Sequence, residues 1–291
     1  MTPRWSLRPM DAAGDDVAVD VALPQPGTLG MPPGPRFLEQ TLAVARRAML
    51  RTARQRALLI FPMVFPLILF AINGSALSPA TRIPRFPTHN YRDFLIAMPF
   101  IQGAMFVSIT AGVDLARDIE SGFLNRLALT PLRGEALLIG QLGGALVVGT
   151  VQAVVYLLVG IASGVTFASG VGGALVLLLL SVLIAFAFAT LGGLLALRFG
   201  TGEAVQGVFP LLFVTLFLSS SSLPRDLIKA SWFRDIATYN PVSYLLEGLR
   251  SLVITGWDGE ALALGFGFTL ALLAIALFFA QGAMKTRLAR K

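Results

Sequence analysis

The sequence predicts an all-α integral membrane protein with six membrane-spanning helices. Hydrophobic residues make up 55% of the 291 residues and charged residues only 13%, about half the charged share of soluble proteins. The charged residues divide the chain into long uncharged runs, and about 20 apolar residues in a helix are enough to cross a bilayer. Glycine, with 29 residues, is also more frequent than a soluble core requires.

The N-terminal part of the chain differs in composition from the rest. Residues 1–36 combine many prolines with several aspartates and have no apolar run, so we expect a disordered cytoplasmic tail and no signal peptide. Residues 37–56 show the spacing of an amphipathic helix that lies in the membrane interface. Its basic face consists of Arg47, Arg51 and Arg54. Two interpretations remain open, an anchor for the first span and a docking surface for a cytoplasmic partner.

Uncharged runs define the spans, which form one block over 57–284 and precede a basic tail at 285–291. They lie at 57–74, 94–113, 136–162, 173–197, 204–223 and 261–284. The long run 136–197 holds two helices because a glycine-rich stretch interrupts it near its middle. The side that carries both termini has 16 lysines and arginines against 7 on the other side. The positive-inside rule therefore predicts a protein of the cell membrane with both termini in the cytoplasm.

The cytoplasmic loop 114–135 carries a dense pattern of charge. Asp114, Arg117 and Asp118 fall on one face of a predicted helix, and opposite charges three or four residues apart stabilise such a helix. Gly122 permits a break and Pro131 ends the segment. A short charged helix between two breakers would make a rigid lever. From the pattern alone, a solvated loop is the alternative.

The external segment 224–260 predicts a helical hairpin that dips into the outer leaflet. Aromatic and aliphatic residues between Trp232 and Tyr239 are spaced for one apolar face. Asn240 and Pro241 then form a typical helix start, with asparagine at the cap and proline in the first turn.

The residue inventory excludes several classes of chemistry. The chain has no cysteine, and His89 is its only histidine, so thiol catalysis and histidine-rich metal sites are excluded. None of the three lysines ends a GxxxxGK[ST] loop, the motif that binds the phosphates of ATP, so we expect the chain to depend on another subunit for energy. We also expect a subunit that is not itself an enzyme and has no catalytic or metal-binding residues. The predicted spans lack the ionisable groups that ion-coupled transporters use. Nucleic-acid binding is not expected in so apolar a chain.

The fifth predicted span carries a stripe of phenylalanines at positions i, i+4 and i+8, namely Phe209, Phe213 and Phe217. Such a stripe packs against lipid or a neighbouring helix, or forms the aromatic wall of a pathway for an apolar substrate. Both interpretations remain open at this point.

Two motifs carry a resemblance to a known family. One is Asp118-x-Glu120-x-Gly122 followed by Arg126-Leu127, Thr130-Pro131-x-Arg133 and Gly140. The other is Asn240-Pro241-x-Ser243-Tyr244-x-x-Glu247-Gly248-Leu249-Arg250. Together with the order of the spans, they make residues 37–291 similar to the ABC-2 type transporter permeases, especially the branch of daunorubicin-resistance exporters. Gln141 departs from the pattern, because many members have lysine there.

The resemblance implies partners and site residues. The chain itself would bind no cofactor. ATP and magnesium would bind to a separate ABC ATPase subunit. A second permease chain, identical or homologous, would complete the transporter within membrane lipids. Residues 37–56 would form the connecting helix, and 224–260 the re-entrant external helices with Asn240, Pro241, Tyr244, Glu247 and Arg250. The implied ATPase contacts are Asp114, Arg117, Asp118, Glu120, Gly122, Arg126, Pro131 and Arg133. The implied pathway residues on the second and fifth spans are Phe106, Phe209, Phe213 and Phe217.

The expected function is therefore the membrane subunit of an ABC exporter that moves a drug-like or lipid-like substrate outward by alternating access. An exporter of oligosaccharides or polymers is one alternative. A membrane scaffold or receptor subunit for an ATPase partner is another, and an ion-coupled transporter without a partner is a third.

Overall fold

The computed structural model describes residues 56–122 and 142–289, together with Arg46 and Gly140. This part of the chain is all α-helical apart from turns and loops, which confirms the predicted class. The helices are α1 (Arg56–Ala76), α2 (Tyr91–Leu95), α3 (Ala97–Glu120), α4 (Gly143–Ala162), α5 (Gly170–Phe199), α6 (Gly202–Gly207), α7 (Phe209–Phe217), α8 (Ser231–Tyr239), α9 (Pro241–Ile254) and α10 (Gly259–Ala289). Short 3-10 turns at Ser78–Arg82 and Arg225–Leu227 lie in the connections.

Four helical segments of the described chain are long and apolar enough to cross a membrane, namely Tyr91–Glu120, Gly143–Ala162, Gly170–Phe199 and Gly259–Arg287. They coincide with the second, third, fourth and sixth predicted spans. Two shorter apolar helical segments, Ile60–Ala76 and Gly202–Phe217, lie where the first and fifth spans were predicted. The count of six spans stays a prediction.

The fourth predicted span, α5, lies at the centre of the bundle and packs against α3, α4 and α10. Its closest approach is to α3, where Gly112 and Gly192 bring the two backbones together. A Cβ atom at Gly112 would lie 2.7 Å from the Gly192 carbonyl oxygen, and one at Gly192 would overlap the Ser108 carbonyl. Small residues at a crossing allow membrane helices this contact, which maximises their dispersion attraction.

Pro66 in α1 leaves one backbone carbonyl without its helical donor, and α4 supplies a replacement. Pro66 has no N–H group to donate to the carbonyl of Pro62. The buried Tyr156 hydroxyl donates to that carbonyl instead, at 3.1 Å. A freed carbonyl within a bilayer needs such a partner, so this hydrogen bond helps to fix α1 against the bundle.

The structure corrects the boundary of the charged loop. A separate short helix was predicted over the first part of 114–135, but α3 continues without interruption to Glu120. Asp114, Arg117 and Asp118 therefore belong to the last turns of the second-span helix. Residues 114–120 contain no glycine or proline that would break the helix. Asp114 ends the uncharged run, but a charged residue does not by itself end a helix. The break comes at Gly122, which has a φ of 66°.

The fifth predicted span is also corrected. It was expected to be one helix over 204–223, but it begins at Gly202, has a turn at Val208 and ends at Phe217. Pro210 explains the turn because it cannot donate to a preceding carbonyl, and the serines at 219–222 explain the early end because their hydroxyl groups compete for backbone hydrogen bonds.

Several predicted features lie outside the described residues. These are the tail 1–36, most of the 37–56 helix with Arg47, Arg51 and Arg54, and the remainder of the charged loop with Arg126, Pro131 and Arg133.

Candidate functional site

The fifth predicted span, α6 and α7, ends in a buried non-helical segment. After Phe217 the chain continues through four serines, of which Ser219, Ser220 and Ser221 are buried. An unwound segment exposes N–H and carbonyl groups that a helix would have paired internally. In an apolar setting these groups must find partners within the protein.

Asn240, at the start of α9, satisfies the last carbonyls of α7. Its amide nitrogen donates to the carbonyls of Thr215 at 2.6 Å and Leu218 at 3.1 Å. Its side-chain oxygen accepts a hydrogen bond from the backbone N–H of Val242 at 2.9 Å. One side chain thus caps the end of one helix and the start of another.

Two further side chains of α9 hold Ser220. Its backbone N–H donates to the Ser243 hydroxyl at 3.0 Å, and its own hydroxyl donates to Glu247 Oε1 at 3.1 Å. The other carboxylate oxygen of Glu247 forms an ion pair with Arg225. From the second span, the Tyr91 hydroxyl donates to the Ser222 carbonyl at 2.9 Å.

Arg250 completes this arrangement from a position where its side chain is buried, with 6% of the residue exposed. Its Nε donates to the Phe94 carbonyl at 2.9 Å, and Nη2 donates to the carbonyls of Ser220 at 3.2 Å and Ser221 at 3.3 Å. Its guanidinium carbon lies 3.5 Å from the centroid of the Phe94 ring.

Burial lowers the pKa of Arg250 to about 10, and the nearby Glu247 carboxylate opposes this change. The group therefore keeps its positive charge at neutral pH. We call Ser219–Ser222 with Asn240, Ser243, Glu247 and Arg250 the serine clamp.

The structure brings most of the predicted hairpin residues to this clamp. Glu247 and Arg250 contact the serines, Asn240 caps the end of α7 directly before them, and Pro241 begins α9 as predicted. Tyr244 has a different role, because its ring stacks on Phe268 of α10 at 4.6 Å. Sequence reasoning missed the serines, although four consecutive serines at the end of an apolar run were a visible signal.

A second cluster consists of aromatic rings from α1, α3 and α7, and we call it the phenylalanine cluster. The four predicted residues join it. Phe106 lies 5.0 Å from Phe209 and 5.9 Å from Phe213 between ring centroids, and Phe213 lies 6.3 Å from Phe217. Sequence reasoning missed Phe61 and Phe65, which share the i, i+4 spacing.

The added rings connect α1 to the cluster. Phe65 lies 5.9 Å from Phe106 and 6.3 Å from Phe213, and Phe61 lies 6.2 Å from Phe106. Phe61 is 65% exposed and Phe217 is 53% exposed, so the cluster reaches the surface of the chain. Rings at these separations form favourable aromatic pairs and present an apolar, polarisable face.

At the far end of α3 lie four of the predicted coupling residues, and one of them, Glu120, contacts α6. Asp114 and Arg117 lie 3.8 Å apart as an ion pair within the helix, and Asp118 is buried. Glu120 Oε1 accepts a hydrogen bond from the backbone N–H of Gly202 at 3.1 Å, at the first residue of α6. A carboxylate is favourable there because helix N-termini carry unpaired N–H groups and a partial positive charge.

Comparison with known proteins decides the family. The model of the ABC-2 type transporter family matches residues 39–254, a range that includes the predicted coupling loop and the serine clamp. The chain belongs to the ABC-2 type transporter family. The permease is thus a membrane component of an ABC transporter, and its family implies an ABC ATPase subunit as partner.

Curated relatives agree with this assignment. The permease is 24% identical over 221 residues to the "Probable doxorubicin resistance ABC transporter permease protein DrrC" of Mycobacterium tuberculosis, covering 76% of this chain and 79% of that one. It is 25% identical to the "Daunorubicin resistance ABC transporter permease protein DrrB1" of Streptomyces coeruleorubidus, over 67% of each chain. The "Probable multidrug ABC transporter permease YbhR" of Escherichia coli K12 is 30% identical over 58% of this chain and 45% of its own length.

Proposed function

We propose that this permease is the membrane-spanning subunit of an ABC exporter that moves a hydrophobic or amphipathic molecule outward by alternating access. The phenylalanine cluster carries this proposal. It joins α1, α3 and α7 through ring contacts and leaves rings exposed on the surface of the chain. An aromatic face of this kind favours flat or apolar cargo over hydrated sugars. Relatives named for resistance to doxorubicin and daunorubicin support the same substrate class.

The proposed arrangement has six spans with both termini in the cytoplasm, and α1 and the α6–α7 pair serve as the first and fifth spans. A second permease chain, identical or homologous, faces the phenylalanine cluster across a central pathway. ATP and magnesium bind to the ATPase subunits, which contact the cytoplasmic loop 114–135.

The contacts of the fifth span support a route for coupling. At its cytoplasmic end, Gly202 is hydrogen-bonded to Glu120 of α3. At its other end, the serine clamp ties it to α9 and to the start of the second span. Because both ends are held, a push on the end of α3 would move α6 and α7 together with the rings of the cluster. ATP binding would in this way change the shape of the pathway.

Transport assays with a cluster variant test the proposal. Phe213→Ala removes the ring that contacts Phe65, Phe106 and Phe209. We expect ATP-driven transport of aromatic, amphipathic substrates into inverted vesicles that contain the permease and its ATPase to fall several-fold, with a changed order of preference among substrates. Phe278→Ala is the matched control, because Phe278 is 72% exposed on α10 and lies outside the cluster.

Unchanged transport and unchanged preference in Phe213→Ala would contradict the pathway. Export of a sugar polymer without any effect of Phe213→Ala would favour the oligosaccharide exporter. ATP hydrolysis by the complex without movement of any tested cargo would favour the scaffold.

A further inference from the structure

A cavity of about 430 Å³ lies beside the serine clamp. Its wall is formed by Pro87 and Phe94 near the start of the second span, by the turn at 224–226, and by α8 and α9. Its volume falls within the range of small-molecule sites, roughly 300–1,000 Å³. Its charged and polar lining consists of Arg225, Asp226, Arg234, Thr238, Glu247 and Arg250. It is separate from the phenylalanine cluster, which contributes no residue to its wall.

The lining has an excess of positive charge. Arg225 and Glu247 are paired with each other. The two hydrogen-bonding nitrogens of Arg250 donate to neutral carbonyls, so its charge has no direct ion pair. Arg234 is exposed, and among the described residues its guanidinium takes part in no hydrogen bond or ion pair. Three arginines and two carboxylates, Asp226 and Glu247, line the cavity, which leaves a net excess of one positive charge. The guanidinium groups of Arg234 and Arg250 face this cavity without an ion-pair partner in the described structure. Guanidinium groups bind phosphate through paired hydrogen bonds.

The two faces of α8 place this cavity near the membrane surface. Trp232, Ile236 and Tyr239 lie on one face of the helix and are exposed. Arg234 and Thr238 lie on the opposite face and line the cavity. Helices with an apolar face that contains tryptophan and tyrosine lie at the boundary between acyl chains and headgroups. The polar face of α8, and the cavity behind it, then lie at the level of the lipid headgroups.

We propose that this cavity binds the phosphate group of a membrane phospholipid, with Arg234 and Arg250 as its cationic ligands. The bound headgroup would hold the α8–α9 hairpin at the membrane surface next to the serine clamp. This inference requires only that the hairpin lies at a membrane surface. It is therefore independent of the substrate and direction of transport in the proposed function.

Native mass spectrometry of the full-length, delipidated permease tests the proposal by titration. Phosphatidylglycerol is the probe, diacylglycerol with the same acyl chains lacks the phosphate, and glycerol 3-phosphate supplies phosphate without acyl chains. Arg234→Gln is the test variant. Arg82→Gln is the matched control, because Arg82 is an exposed arginine at the end of the Ser78–Arg82 turn and does not line the cavity.

We expect phosphatidylglycerol to bind the wild type and Arg82→Gln equally, and to bind Arg234→Gln roughly tenfold more weakly, the loss expected for a hydrogen bond to a charged group. Diacylglycerol and glycerol 3-phosphate should bind much more weakly than phosphatidylglycerol. The proposal would be overturned if diacylglycerol bound as tightly as phosphatidylglycerol. It would also be overturned if Arg234→Gln and Arg82→Gln bound phosphatidylglycerol with the same affinity, whether reduced or unchanged. Binding of glycerol 3-phosphate as tight as that of the lipid would overturn the assignment to a lipid. Unchanged elution and circular dichroism establish that each variant is folded.

Discussion

Arg250 is a buried cation whose direct partners are backbone carbonyls and an aromatic ring. Its Nε donates to the Phe94 carbonyl on one side, and its Nη2 donates to the carbonyls of Ser220 and Ser221 on the other. Lysine could not replace it, because an ammonium group is a compact point charge and cannot span carbonyls in two directions. The geometry explains why arginine stands at this position of the motif.

Replacing Arg250 with methionine tests this role by stability. Arg250→Met keeps much of the side-chain volume but leaves three buried carbonyls without their donor. We expect the free energy of unfolding to fall by about 3 kcal/mol, since each buried unsatisfied group costs about 1–3 kcal/mol and the site relaxes in part. Thermal unfolding in detergent, followed by tryptophan fluorescence, measures the change.

The control for this prediction is Arg198→Met, which changes an exposed arginine at the end of α5. It should unfold at the wild-type temperature. A wild-type midpoint for Arg250→Met as well would show that the carbonyls of the serine segment find other partners.

At the scale of elements, the contact between α3 and α5 depends on two glycines that allow the backbones to touch. Helix propensity alone would disfavour glycine in the middle of both helices by up to about 1 kcal/mol per residue. The close packing at Gly112 and Gly192 offsets this cost. The crossing in turn places Phe106 on the side of α3 where it meets the phenylalanine cluster.

An alanine scan of two glycines separates packing from propensity. A Cβ atom at Gly192 would overlap the Ser108 carbonyl, whereas one at Gly267 of α10 has no atom within 4 Å. We expect Gly192→Ala to lower the free energy of unfolding by about 1–3 kcal/mol through overpacking, and Gly267→Ala to leave it unchanged or raise it slightly. The fraction of monodisperse protein after heating measures both. Equal behaviour of the two variants would rule out a tight crossing.

Local and distant interactions were predictable to different degrees at this scale. The start of α9 at Asn240 and Pro241 could be predicted because a helix cap involves residues two or three positions apart. The partners of the unwound serines could not be predicted, because Tyr91 and Arg250 are remote from them in sequence. Hydropathy alone places the serines inside the predicted span 204–223.

At the scale of the whole molecule, Glu120 links the charged end of α3 to the start of α6. It is exposed, yet it accepts a hydrogen bond from Gly202 across 82 residues of sequence. In the proposed transporter this contact passes motion from the ATPase subunit to the phenylalanine cluster. The role belongs to the assembled transporter, because a hydrogen bond at an exposed position contributes little to folding.

Glu120→Ala tests the link by separating two activities. We expect the complex with its ATPase subunit to keep hydrolysing ATP while substrate transport falls at least fivefold, because α6 no longer follows α3. Glu120→Gln should retain most transport, since its amide oxygen can accept the same hydrogen bond. Parallel assays of phosphate release and vesicle uptake give the ratio of the two activities.

The matched control is Glu203→Ala, which removes an exposed carboxylate beside Gly202 that makes no hydrogen bond or ion pair to α3 in the described structure. Its ratio of transport to hydrolysis should equal that of the wild type. A wild-type ratio for Glu120→Ala would leave the coupling role to the part of the loop beyond Gly122.

The sequence by itself determined the membrane class, the four long apolar helices and the family, because hydropathy, capping and short motifs depend on residues close together in the chain. Only the tertiary structure decided that Phe61 and Phe65 join the phenylalanine cluster and that Arg250 holds the serine segment. These contacts join residues tens of positions apart. They form because every backbone group left unpaired in an apolar environment must find a partner, and the packing of the helices determines which side chain can reach it.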